Sequence, residues 1–207
     1  MNDLNLKFSK ITPSKLIEVY NEKGYPVSSK VGYPNLFGVR ANTCIPNKFD
    51  DIVGYFLLRS DGGYEMSTFD ATTDPGTYWL RNPMNVKGTA IMCPGSYLAY
   101  KIGLHKGQYT AYVQRGEIKV WRDNNKNNVL DFNGRTDEGY FGVNIHRANA
   151  SMKSKQVDKW SAGCQVIADY LDFNKIIKVG RAACEKYGKE SMFRYSLFEE
   201  KDFKRFF

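Results

Sequence analysis

Hydrophobic positions in this chain fall mostly into short runs set off by turn residues, and take a helical spacing only near the two ends. Thr12-Pro13-Ser14 followed by Leu16, Ile17, Val19 and Tyr20 predicts a capped helix with proline in its first turn and Gly24 at its stop. Residues Tyr25 to Pro46, rich in Gly, Pro and Asn, read as a long irregular connection. From Asp51 the texture becomes strand-like, with runs at Ile52–Leu58, Tyr64–Phe69, Tyr97–Ile102, Tyr109–Val113 and Ile118–Trp121. Asp61-Gly62-Gly63 and Arg115-Gly116 are hairpin signals between neighbouring runs. Phe141, Val143 and Ile145 alternate with Gly142, Asn144 and His146, so a strand here turns one face to a core and presents Asn144 and His146 on the other. After Asp172 the period changes: Phe173, Ile176, Ile177, Ala183, Cys184 and Tyr187 form one helical stripe ending at Gly188. A last strand over Met192–Leu197 follows, and Phe203–Phe207 carries no readable pattern. The prediction is a mainly β fold with helices near the N- and C-termini, divided into residues 1–46, a helical and irregular segment packed on the core, and residues 47–207, the main domain.

Composition narrows the partners. Thirty Lys and Arg against 22 Asp and Glu give a formal charge of +8, which suits a polyanionic partner or simple solubility. No Lys/Arg run exceeds two residues, so no nucleic acid partner is expected. No stretch approaches the roughly 18 apolar residues of a membrane span, and Met1–Lys10 lacks the apolar region of an export signal. Cys44, Cys93, Cys164 and Cys184 show no C-x-x-C spacing, so free thiols are expected, with no metal and no cofactor. The oligomeric state is not legible.

One segment carries chemistry: Ile145-His146-Arg147, a polar stretch, then Trp160-Ser161-Ala162-Gly163-Cys164. Read alone, a cysteine between glycine and an apolar stretch is more commonly a small buried residue. A thiol becomes a nucleophile when an imidazole assists it, and a strand ending in His146 followed by one beginning near Cys164 brings the two within reach. Gly163 lets a carbonyl oxygen approach closely, and the amides of Gly163 and Cys164 are the expected oxyanion donors.

The motif resembles that of the L,D-transpeptidases: Ile-His, a spacer, then Ser/Thr-x-Gly-Cys, with the 18-position separation of His146 and Cys164 typical of that family. The resemblance implies a β-sandwich-like catalytic domain acting on bacterial peptidoglycan. Cys164 would attack a stem-peptide carbonyl and His146 would serve as base and then acid. The Arg147 backbone carbonyl would orient the imidazole, and Gly163 and Cys164 would hold the oxyanion. Ser161, Ala162, Asn144 and Trp160 are the expected substrate-binding positions. Three residues depart from the family pattern. Ala162 stands where a second histidine is usual, Val166 where Asn or Arg is usual, and Arg147 where a small residue is usual. These alter the substrate rim more than the chemistry, so hydrolysis is expected over cross-linking. The run Thr72–Trp79 and the Ser-Ala-Gly-Cys variant resemble phage-borne proteins of this type, which implies a lysin made in the cytoplasm and reaching the wall during host lysis. The rivals are a cell-wall or virion binding module without turnover, and a different cysteine peptidase using the same pair.

Two further features are read as structural. His105, in Gly103-Leu104-His105-Lys106-Gly107, could line the site, but an exposed turn is the stronger expectation. Asp123, Asn125, Asn127 and Asp131 alternate like calcium ligands, but position twelve is Gly134 instead of Glu, so a plain turn is expected ahead of weak calcium binding. Most of Tyr97, Tyr100, Tyr109, Tyr112 and Trp121 are expected to pack within sheets.

Overall fold

A computed structural model describes all of residues 1–207. Helix α1 (Asp3–Phe8) is capped by Asn2, whose side chain accepts from the Asn5 amide at 2.7 Å. Six residues are too few for a period to be read from the sequence. Helix α2 (Pro13–Glu22) is the one Thr12 and Pro13 predict, with the Thr12 hydroxyl accepting from the Lys15 amide at 3.3 Å.

The first correction follows at once. Strand β1 (Asn35–Arg40) lies inside the stretch expected to be irregular, and all six of its residues are buried. Covered on both faces, it shows neither alternation nor a polar side. It pairs antiparallel with β2 (Asp51–Leu58), which forms the expected hairpin with β3 (Tyr64–Thr72) through Asp61-Gly62-Gly63. The stretch before residue 47 therefore supplies part of the main sheet.

A short helix α3 (Thr77–Arg81) and strand β4 (Thr89–Met92) lead to the long β5 (Gly95–His105), which turns back into β6 (Tyr109–Gln114). The turn signal Arg115-Gly116 does not make a hairpin. The chain there leaves one sheet for another, and β7 (Ile118–Asp123) pairs with β4 and with β8 (Thr136–Gly139). The predicted strand around Phe141–His146 is confined to β9 (Ile145–Arg147), because Gly139 and Gly142 adopt positive φ and break the run. Strand β10 (Gln165–Ile167), helix α4 (Tyr170–Tyr187) and strand β11 (Phe193–Glu199) follow. The tail winds into a 3-10 helix over Glu200–Phe206.

The fold is mainly β, but not sandwich-like. Eight strands close into a barrel in the order β1-β11-β5-β6-β9-β10-β3-β2, and β4-β7-β8 form a separate sheet. Closure leaves the barrel without an unpaired edge. The larger core holds Val53, Tyr55, Tyr112, Ile145, Ile167 and Tyr195 together with the α4 stripe Phe173, Ile176, Ile177 and Ala183. A second core packs Leu4, Phe8, Leu16, Val19 and Tyr20 of α1 and α2 against Phe37, Ile52, Phe56, Phe198 and Phe203. Each fully buried side chain of this kind stabilises by about 1.5–3 kcal/mol, so the N-terminal helices are integral to the fold. Buried Arg40 ties the barrel to the small sheet, donating to the carbonyls of Thr73 (3.1 Å) and Met92 (3.0 Å) beside the Asp74 carboxylate at 2.7 Å. No helix is long and apolar enough to cross a membrane.

Candidate active site

Strands β9 and β10 run parallel, with Gln165 opposite Ile145 and Val166 opposite His146. Ile145, Gln165 and Ile167 point into the barrel, where the Tyr195 hydroxyl donates to Gln165 Oε1 at 2.9 Å. By alternation His146 and Asn144 share the outer face, and Cys164 stands next to Asn144 across the strand pair. Asn144, His146 and Cys164 line one cavity of about 540 Å³. This topology explains the long spacer: two parallel strands cannot be joined by a tight turn, so residues 148–164 make an outward excursion.

The imidazole is held by its own neighbour. His146 Nδ1 lies 2.8 Å from the Arg147 carbonyl oxygen, so the ring donates Nδ1–H there and leaves Nε2 bare as an acceptor. The Tyr109 hydroxyl donates to the same carbonyl at 3.4 Å. The Arg147 guanidinium lies 4.2 Å over the Tyr109 ring, clear of the imidazole.

The nucleophile is held by backbone. The Asn144 amide donates to Cys164 Sγ at 3.4 Å, and the thiol points at the Gly142 carbonyl at 3.6 Å. No hydrogen bond joins Sγ to the imidazole directly. Burial pushes the Cys164 thiol above its ordinary pKa, against the opposing pull of the Asn144 amide and Lys106. Burial, followed by the repulsion of His105, pushes His146 down to about 3. With the thiol raised and the imidazole lowered, the pair rests as neutral thiol and neutral imidazole. Such a base takes the proton as attack proceeds.

His105 takes the alternative that the sequence left second, beside the site. Expected in an exposed turn, it is 6% exposed and its ring stacks on His146, centroids 4.2 Å apart. Asn144 Nδ2 donates to His105 Nδ1 at 3.0 Å, while Asn144 Oδ1 accepts from the Gln114 amide at 2.8 Å. Gln114 secures the loop above. Its Oε1 accepts from the Phe141 and Val143 amides, both at 3.0 Å, and its Nε2 donates to the carbonyls of Gly116 and Gly139, both at 2.9 Å. Nothing local announces these roles, because β6 meets β9 only through the long-range pair Tyr112 and Ile145.

Two expected roles change. Ser161 is fully buried and away from the substrate rim: its hydroxyl donates to the Cys164 carbonyl at 2.8 Å and accepts from the Gly163 amide at 3.1 Å. The Gly163 amide is thereby occupied, leaving Cys164 N–H as the uncommitted donor for an oxyanion. Gly163 has φ +119°, and the carbonyl that approaches it is that of Ala90, so close that a Cβ would collide with it. Ala162 and Trp160 line the cavity; Asn144 does too, although its side chain is spent on Gln114 and His105.

The run Thr72–Trp79 braces the loop ahead of Cys164: the Gly76 amide donates to the Ser161 carbonyl at 2.9 Å and Trp79 Nε1 to the Lys159 carbonyl at 3.1 Å. Comparison with protein families, curated proteins and solved structures finds no significant match. What the site does is therefore argued from its geometry. All four cysteines are free, and no group of three His, Cys, Asp or Glu side chains is arranged to hold a metal. The Asp123–Asp131 turn closes on itself, with Asn125 Nδ2 donating to Asp131 Oδ2 and the Asp131 amide to Asp123 Oδ2 at 3.1 Å.

Proposed function

We propose that the protein is a cysteine hydrolase of the L,D-transpeptidase type that cleaves bacterial peptidoglycan stem peptides, in the manner of a phage lysin acting on the wall at host lysis. One observation carries the reading: His146, its Nδ1 turned to the Arg147 carbonyl at 2.8 Å, shares a cavity with Cys164, which immediately precedes the adjacent parallel strand. With Nδ1–H committed, the basic nitrogen is Nε2, which takes the thiol proton as Sγ attacks the peptide carbonyl carbon. The C–N bond breaks, the departing amine takes that proton from His146, and a thioester on Cys164 remains. Water then attacks the thioester with His146 again as base, releasing a carboxylic acid and restoring the thiol. The developing oxyanion is met by the Cys164 amide. Hydrolysis is favoured over transfer because Val166, opposite His146, is buried in an apolar cluster and offers no polar group to an acceptor amine.

The test is incubation of the purified protein with isolated peptidoglycan, read by mass spectrometry of the muropeptides and of the intact protein. Shortened stems and a transient thioester adduct on Cys164, both lost in Cys164→Ala, are the expected result. New cross-linked dimers with excess acceptor amine would replace hydrolysis by transfer. A second reading, a wall or virion binding module without turnover, draws on the missing direct bond between Sγ and the imidazole. Binding to peptidoglycan with no cleavage and no adduct would establish it.

A further inference from the structure

Beside the cavity that holds Cys164 lies a second, of about 870 Å³, and the two share His105, Lys106, His146, Lys159 and Trp160 in their walls. Three cationic side chains face this second space: Lys106 from the β5–β6 turn, Arg147 from β9 and Lys159 from the loop ahead of Cys164. None of them forms an ion pair or donates a side-chain hydrogen bond within the protein. Arg147 instead lies 4.2 Å over the Tyr109 ring, and Lys159 Nζ sits 4.3 Å over the Tyr78 ring. The Arg147 guanidinium and the Lys159 ammonium each lie over an aromatic face, and neither donates to an oxygen or nitrogen of the protein. The one carboxylate in the lining, Asp158, already accepts from Asn47 Nδ2 at 3.0 Å.

We infer that this second cavity is a subsite for a carboxylate-bearing portion of the peptide that Cys164 attacks, with Lys106, Arg147 and Lys159 as the recognising cations. The inference rests on the proposed attack of Cys164 on a peptide, and adds to it which end of the ligand is read and by what. Three positive charges against one acidic group leave the space electropositive, and low-dielectric walls focus that field. A guanidinium presents paired donors that match a carboxylate, and two ammonium groups arriving from separate loops fix its position. Tyr78, Tyr109 and Trp160 supply apolar walls for the rest of the peptide, which suits a short acidic peptide better than a bare inorganic anion. Lys106 lines the cavity that holds Cys164, and its charge opposes the upward push of burial on the thiol.

The test reads the field at Cys164 and does not require turnover. Rates of Cys164 alkylation by iodoacetate, itself a small carboxylate, and by neutral iodoacetamide are measured with site-resolved mass spectrometry. Their ratio is referred to that of an uncharged cysteine peptide. In the native protein at low salt the ratio is expected to be raised several-fold, and to fall toward that of the reference peptide near 1 M salt as the Debye length shrinks to about 3 Å. Lys159→Gln and Lys106→Asn, the latter because Asn tolerates the left-handed backbone at φ +50°, should each lower it about twofold or more. In a second arm, an N-acetyl dipeptide with a free terminal carboxylate should protect Cys164 from iodoacetamide better than its amide does. A ratio equal to the reference, no change in either variant, or equal protection by acid and amide would overturn the subsite. A raised, variant-sensitive ratio without peptidoglycan cleavage would keep the subsite and overturn the assigned reaction. Cleavage with a flat ratio would do the reverse.

Discussion

Replacing Gly163 by alanine isolates how the nucleophile is seated. Two costs are separable. An L-residue held at φ +119° is strained by about 1–2 kcal/mol. The added Cβ also meets the Ala90 carbonyl oxygen at under 3.0 Å, with the Ala90 carbonyl carbon at 3.2 Å and its Cβ at 3.3 Å. These atoms belong to β4 backbone and a short side chain, so they cannot swing aside, and overpacking of this kind costs about 1–3 kcal/mol more. The sum is about 2–5 kcal/mol. For a chain of 207 residues that lowers Tm by roughly 4–20 °C. Gly62→Ala is the control, since Gly62 also has positive φ (+82°) but nothing within 4 Å of the added carbon, so only strain acts. Thermal melts of the two variants give the packing cost by difference. Cys164 alkylation then reports whether the thiol has moved, because a displacement near 1 Å costs about 100-fold in a positioned reaction. If Gly163→Ala melts no lower than Gly62→Ala and alkylates at the native rate, the seat on Ala90 is not what fixes Cys164.

Other perturbations reach the rest of the architecture. The pH profile of Cys164 alkylation should show one inflection above the free-thiol value of roughly 8.5, because burial raises the thiol while His146, held near 3, stays neutral. A reactive plateau extending below neutrality would reveal a thiolate–imidazolium pair and refute this. His146→Ala should abolish stem cleavage yet leave that inflection in place; a shift of more than a unit would make the imidazole part of the resting thiol's environment. Gln114→Met should cost about 2–5 kcal/mol in urea unfolding by stripping the Phe141 and Val143 amides of their acceptor, with hydrogen exchange accelerating at Val143; unchanged exchange there would count against it. Asp70 is pushed up by burial, but Lys153, Asn5 and the Asn2 amide outweigh this and hold it at about 2. The unfolded chain then binds the proton more readily, so Asp70 stabilises the fold above about pH 4 by roughly 1–2 kcal/mol, lost as pH falls toward 2. Lys153→Met should move that acid limb upward, and superimposable limbs would exclude the pair.

What was legible in the sequence divides by the range of the interaction that decides it. The Thr12 cap, the α4 stripe and the Asp61-Gly62-Gly63 hairpin depend on neighbours a few residues away, and they stand as predicted. Strand β1 failed because cover on both faces erases alternation. Arg115-Gly116 misled because a turn signal says that the chain changes direction and not which sheet it enters. In the site, His146, Gly163 and Cys164 are visible as a spaced set, and the resemblance to a family motif adds Arg147 and gives the set its weight. Ser161 was assigned to the rim because its burial is set by the brace from Gly76, far away in sequence. His105, Gln114 and Lys106 enter only once β5 and β6 pair with each other and β6 meets β9, contacts that no local period encodes.

The barrel closes between its first strand and its last, with Leu36 of β1 beside Tyr195 of β11 in a parallel register. On a ribosome, β1 emerges well before β11 and must wait for all the strands between them before its second partner exists. Until then β1 and β5 both lack a neighbour on the side that β11 will fill. Long-range pairing of this kind folds slowly, and its unpaired edges invite association with other chains. Tyr195, arriving in that last strand, also donates the hydroxyl that holds Gln165 next to Cys164. The nucleophile's strand thus gains this anchor only after β11 is made, and fragments that stop before β11 should have neither a closed barrel nor a fully braced thiol site.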